Sequence, residues 1–245
     1  MNGLGIVAAL LAEARTLDPA VRRGDALASL ADGTLLAVSG VGPAAARQGA
    51  RRLIEAGAGA LMSWGMAGGL DPALVTGTLL LPSEVVSPEG EVFPTARDWR
   101  ERLCTALAVS RPVCVGRLLT CREPIGTAAD KASAFGRTGA AAVDMESFAV
   151  AEVAARGGQP FIAVRVILDA AADALPRALL VAAAGTGAVH VWRLLGGLAR
   201  APADLPALTR LVRKYWAARR ALSIVARSGA LAPPEIPGPR RSRSS

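Results

Sequence analysis

The sequence predicts an α/β fold: three layers, with helices on both faces of a central, mixed but mostly parallel sheet. Two observations carry this expectation. Short apolar runs end in small or polar residues and give way to Ala-rich helical stretches, the rhythm of strand, turn and helix in a largely parallel sheet. Glycines also sit just after the helical stretches, where a left-handed C-terminal turn prefers them, at Gly57, Gly59, Gly136, Gly139, Gly157 and Gly158.

In order, strands are expected at residues 4–9 and 34–39, a helix at 43–56, strands at 60–63 and 78–81, and a helix at 97–108. A strand at 117–120 and a helix at 129–135 come next, then a strand at 141–143, a helix at 147–156, a strand at 161–167 and a helix at 178–198. A Pro-containing break at 201–206 precedes a helix near 207–227, in which Leu208, Leu211, Val212, Tyr215, Leu222 and Val225 recur at helical spacing. Arg210, Arg213, Lys214, Arg220 and Arg227 fall largely outside that stripe, and residues 231–245, rich in Pro, Ser and Arg, read as disordered. The organisation is thus a body over 1–200, a basic amphipathic helix over 201–230 and a tail over 231–245. That helix reads either as docked on the core with a solvated basic face or as resting on anionic lipid.

Composition excludes several classes. The chain has 245 residues, 52% of them hydrophobic, yet no uninterrupted apolar run reaches the roughly 18 residues that a bilayer span needs. The N-terminal apolar stretch lacks a preceding positive segment and meets Glu13 where a signal peptide has small neutral residues, so it reads as a buried strand. Cys104, Cys114 and Cys121 are odd in number and lack metal spacing, and the single histidine, His190, has no ligand set around it. No metal site is expected, and the cysteine usage points to a reducing cytoplasm. The net charge of +8 is concentrated: residues 201–245 carry nine Arg or Lys against two acids. With the charge in one tail and aromatic side chains sparse, nucleic-acid binding is not expected.

In open α/β sheets ligands bind beyond the carboxyl ends of the strands. Three acids stand there: Glu13 after the first strand, Glu146 after the strand ending at Val143, and Asp169 closing the apolar run FIAVRVIL. Singly, each suits a surface or capping role; together they suggest a site. The Gly-rich SWGMAGGL, residues 63–70, also follows a strand and lets backbone amides approach a sugar or an anion, or else makes an ordinary turn. Its spacing matches neither dinucleotide nor P-loop fingerprints, so no nicotinamide, flavin or ATP cofactor is expected.

Four strings in order resemble the nucleoside phosphorylase and nucleosidase superfamily, in particular its methylthioadenosine and S-adenosylhomocysteine nucleosidase branch. They are GIVAALLAE at 5–13, GMAGGL at 65–70 with GTLLLPSEV at 77–85, VDMES at 143–147 and VRVILD at 164–169, and the resemblance spans about residues 4–195. It implies cleavage of a purine N-glycosidic bond, with Asp169 as the acid on the leaving purine at N7. Glu146 is then the carboxylate holding the ribose hydroxyls, with Met145 packed on the ribose, and Glu13 the base that activates water. It also implies that the Ile125 backbone reads the adenine edge and that Trp64, Met66, Ala67 and Gly68 line the substrate. This matches an oxocarbenium-like transition state, which needs an acid on the leaving group and negative charge near the sugar. Burial should raise the Asp169 pKa so that it acts protonated.

Departures bear on substrate and nucleophile. Met66 replaces a family Ser or Thr, Pro124 replaces an aromatic, and the phosphate-binding arginine of bacterial purine phosphorylases is missing from the Gly-rich segment. Water is therefore the expected nucleophile, with Arg15, Arg47 and Arg122 the remaining candidates for holding phosphate. The chain also resembles the hopanoid-associated subgroup, which implies adenosylhopane as a lipid-linked substrate, adenine and ribosylhopane as products, and peripheral membrane contact through the C-terminal helix. The alternatives are a soluble nucleosidase for methylthioadenosine, S-adenosylhomocysteine or futalosine, a phosphorolytic purine nucleoside phosphorylase, and an inactive binding protein at a membrane surface. Resemblance further implies a homodimer.

Overall fold

The computed structural model describes residues 3–22, 24, 27–108, 112–175 and 205–233. The expected helix at 178–198, His190 and the tail beyond 233 lie outside the described residues. The first half of the chain forms β1 (Gly3–Ala8), α1 (Leu11–Leu17), β2 (Ala28–Ser29), β3 (Leu35–Val38), α2 (Pro43–Glu55), β4 (Ala58–Gly69), β5 (Leu79–Leu80), β6 (Glu84–Val86), β7 (Val92–Pro94) and α3 (Arg97–Ala108). The second half forms β8 (Val113–Cys114), β9 (Arg117–Thr120), α4 (Ala128–Thr138), β10 (Ala140–Asp144), α5 (Ser147–Gly157), β11 (Phe161–Asp169) and α6 (Leu205–Ala226).

Strand alternation decides which helices cover which face. On β1, Leu4, Ile6 and Ala8 join a cluster with Ala14 of α1, Trp99 and Leu103 of α3, and Ala218, Leu222 and Val225 of α6. Val7, from the opposite parity, packs with Ala46, Ala50 and Leu53 of α2 and with Val150 and Val153 of α5. The sheet is therefore the middle of three layers, as the sequence predicted.

β4 organises the site. One of its edges pairs in parallel with β1 as far as Trp64, and the other pairs in parallel with β11 from Leu61 to Gly68. β10 pairs antiparallel with Gly68 and Gly69. The carboxyl ends of β1, β10 and β11 consequently meet around the last third of β4. Further parallel pairings add β9 to β10 and β6 to β9, while β2 and β7 pair antiparallel with β3 and β6.

The expectation at residues 60–70 is corrected: the strand does not stop at Ser63, and the Gly-rich segment is strand rather than turn, running to Gly69. Gly65, Gly68 and Gly69 are absent from the glycines with positive φ; close approach, not a turn, explains them. The short helix α1, just after the expected first strand, stands where no helix was expected. At the C-terminus, α6 docks on the core through Ala218, Ala221, Leu222 and Val225, whereas Val212, expected in its apolar stripe, is 45% exposed.

Candidate active site

Glu13, Glu146 and Asp169 are all buried, and all three line one cavity of about 230 Å³. Each is placed by a different junction. The start of α1 turns Glu13 back onto β4, where Oε1 accepts the Met66 N–H at 2.9 Å and Oε2 accepts the Leu10 N–H at 3.1 Å. A Cβ on Gly65 would stand 2.6 Å from Glu13 Oε1, so only glycine admits the carboxylate here. Glu146 is the N-cap residue of α5, and its Oε1 reaches across to accept the Gly42 N–H at 2.7 Å. Gly42 has φ of 98° and caps α2, a backbone state that other residues rarely adopt.

Asp169 ends β11, and its Oδ2 accepts from Lys131 of α4, which is fully buried. Lys131 Nζ also donates to the carbonyls of Ala170 at 2.9 Å and Asp173 at 3.0 Å. A second buried cation, Arg165, stands mid-strand in β11. It pairs with Asp144 through Nε at 2.9 Å and donates from Nη2 to Ser63 Oγ at 2.6 Å and Ser147 Oγ at 2.9 Å. Asp144 in turn accepts the Thr120 hydroxyl at 2.6 Å.

Burial sets the electrostatics. Glu146 is pushed up to about 7, first by burial and then by Asp144. Burial raises Glu13 as well, opposed by Arg165 and by its backbone hydrogen bonds. Asp169 is raised by burial against the opposing pull of Lys131. Burial thus lets these carboxyl groups keep a proton to higher pH than they would in water, a condition for general-acid chemistry.

Of the other residues singled out in the sequence, Met66, Ala67, Gly68, Ile125 and Met145 line the same cavity, as does Pro124. Trp64 does not. As β4 continues as a strand, Trp64 falls on the face shared with Ala60 and Met62, is 1% exposed, and donates its indole N–H to Thr16 Oγ1 at 3.0 Å. Arg15 donates to the Val21 carbonyl, and Arg47 is paired with Glu152 in a neighbouring cleft of about 1060 Å³ that Arg122 also lines. Both cavities share Val41, Glu123, Pro124 and Met145. Sequence reasoning missed Lys131, Arg165 and Asp144, as well as Tyr215 of α6, which lines the carboxylate cavity. Among the described residues no group of three or more His, Cys, Asp or Glu is arranged to hold a metal.

The family model of the Phosphorylase superfamily matches residues 23–195, and the chain belongs to that superfamily. No curated protein matches it in sequence. Solved structures share the fold at low identity. A putative 5′-methylthioadenosine/S-adenosylhomocysteine nucleosidase from Francisella philomiragia superposes with a TM-score of 0.67 at 19% identity, over 91% of this chain and 97% of that one. The corresponding nucleosidase from Neisseria meningitidis, in complex with methylthio-immucillin-A, gives 0.65 at 19% identity over 92% and 98%. Futalosine hydrolase of Helicobacter pylori gives 0.66 at 16% identity over 92% and 96%.

Proposed function

We propose that the chain is an N-glycosidase that releases adenine from a purine nucleoside with water as nucleophile, and that its substrate is adenosylhopane, leaving ribosylhopane. The convergence of Glu13, Glu146 and Asp169 on one cavity carries the reading. Asp169 protonates the leaving base at N7, Glu146 holds the ribose hydroxyls and faces the positive charge growing on the sugar, and Glu13 takes the proton of the attacking water. Met145 packs on the ribose, and Ile125 presents its backbone to the base. Water is favoured over phosphate because Arg165, a buried cation whose charge acts on both Glu13 and Glu146, is already paired with Asp144.

Support for a lipid-linked substrate comes from the cavity mouth and from α6. Leu10, Leu168, Leu175 and Tyr215 line the cavity, and Leu10 is 40% exposed. On α6, Trp216 is 56% exposed beside Val212, with Arg213 and Arg220 exposed and Arg219 stacked 5.3 Å from the Trp216 ring. That face suits an anionic lipid surface. No helix among the described residues is long and apolar enough to cross a membrane, so contact would be peripheral, at the inner face of the membrane, with the enzyme a cytoplasmic homodimer. One observation favours a second reading, a nucleosidase for a small polar substrate: Arg47, Glu89, Glu91, Arg122 and Asp130 line the adjoining cleft.

The test is adenine release from adenosylhopane in detergent and from methylthioadenosine in plain buffer, each with and without phosphate. Release from the lipid nucleoside alone, independent of phosphate, is expected. Release from the small nucleoside alone transfers the chain to the second reading, a sugar 1-phosphate product makes it a phosphorylase, and silence from both leaves a binding protein.

A further inference from the structure

Glu146 holds the N-cap position of α5, where a side chain ordinarily turns back to accept the free N–H groups of its own helix. It makes no such bond. The four N–H groups that open α5 are nonetheless all satisfied. Those of Ala149 and Val150 donate to the Glu146 carbonyl at 3.0 and 3.3 Å. That of Ser147 donates to Asp144 Oδ2 at 3.2 Å, and that of Phe148 to Thr120 Oγ1 at 3.0 Å. The last two acceptors come from neighbouring strands: Asp144 ends β10, Thr120 ends β9, and the two residues are register partners. Strand parity aims Thr120 at α5, since Leu118, two residues earlier, packs in the cluster that holds Ala149 and Val150. One hydroxyl makes two bonds there, accepting the Phe148 N–H and donating to Asp144 Oδ1 at 2.6 Å. Thr120 is buried and lines the neighbouring cleft, not the carboxylate cavity.

On the N-glycosidase reading, we propose that Thr120 is a positioning residue: by capping α5 from β9, it releases the Glu146 carboxylate to accept the Gly42 N–H and to meet the ribose hydroxyls in the cavity. The carboxylate has a competing use, because negative charge near a helix N-terminus is drawn to the N–H groups there. Without an acceptor at position 120 the Phe148 N–H is left unpaired, an expensive state for the folded chain. Glu146, at the N-cap, is the residue placed to fill that gap. A Glu146 turned onto its own helix gives up the Gly42 N–H, now 2.7 Å from Oε1, and with it the hold on the sugar.

The experiment compares the wild type, T120V and T120S on the adenine nucleoside that the wild type cleaves and on its 2′-deoxy counterpart. T120V keeps the shape of threonine and loses both hydrogen bonds; T120S keeps them. In T120V the ratio of kcat/KM for the ribonucleoside to that for the deoxynucleoside should fall about 10- to 100-fold from its wild-type value, the worth of a hydrogen bond to a charged group. T120S should keep the wild-type ratio. Equal losses on the two substrates, as a merely weakened fold would produce, or a ratio that falls as far in T120S, overturns the proposal. If T120V does not fold, T120C, whose thiol is a poor acceptor, replaces it under the same criterion. Amide hydrogen exchange at Gly42, measured on the full chain, follows the carboxylate without turnover. Beyond any change shared with the amides of β11, Gly42 should exchange about tenfold faster or more in T120V than in the wild type, as it should in E146A. Unchanged exchange overturns the proposal. Should the wild type cleave neither nucleoside, the N-glycosidase reading fails by itself, and Gly42 exchange still decides whether Thr120 positions Glu146.

Discussion

The two ends of the cavity solve the same electrostatic problem differently. Around Glu13 and Glu146, the buried cation is Arg165, whose guanidinium is spread over Asp144, Ser63 and Ser147 and never releases a proton. Around Asp169 it is Lys131, anchored by two carbonyls and the carboxylate. In the proposed reaction the first end must offer negative charge to the sugar and a base to the water, and the second must give a proton to the leaving base. The guanidinium holds none of the three cavity carboxylates by a hydrogen bond, whereas the ammonium is bonded to Asp169 itself.

The largest effect expected from breaking this contrast is on turnover. D169N should slow adenine release by about 10²- to 10⁴-fold and recover most of that on an N7-methylated nucleoside, whereas E13Q should lose as much on both; equal behaviour of the two variants would dissolve the distinction between the ends. Next comes Arg165→Met, which leaves Asp144 buried and unpaired and should cost about 3–5 kcal/mol of stability, read as a fall in denaturation midpoint. K131M should cost less, because Asp169 can neutralise itself by keeping a proton. Smaller again is a pH effect. The Glu146 carboxyl titrates near 7 in the folded chain against an ordinary 4.5, so the folded state holds the extra proton and stability declines as pH rises from about 4.5 through 7. The decline should reach on the order of 3 kcal/mol, and E146Q should flatten it in melting curves taken from pH 5 to 8. The smallest is Trp64→Phe, which removes the hydrogen bond to Thr16 and should cost about 1 kcal/mol without changing turnover, since Trp64 is core and not cavity.

What the sequence disclosed and what it hid divide along the same line. Glu13, Glu146 and Asp169 were legible because strand ends are where an α/β sheet puts its ligands, and the strings around them occur in a recognisable order. Their cations were not. Arg165 lay in plain sight inside FIAVRVIL: a charge in a strand buried on both faces must have a buried partner, and that inference would have led to Asp144. Lys131 carried no such mark locally, because α4 reads AADKASAFGRT and any helix surface tolerates a lysine. The Gly-rich segment misled for a simple reason: glycine is required both by turns and by close approach, and only the carboxylate pressed against Gly65 distinguishes the two. Likewise, Trp64 could be assigned to the core only once β4 was seen to continue, since strand parity fixes its side.

The wall that Tyr215 contributes belongs to α6, which follows every strand of the sheet along the chain. During synthesis the three carboxylates therefore leave the ribosome before the helix that closes the cavity around them. A nascent chain interrupted before α6 would carry the three acids of the proposed reaction in a cleft without its Tyr215 wall.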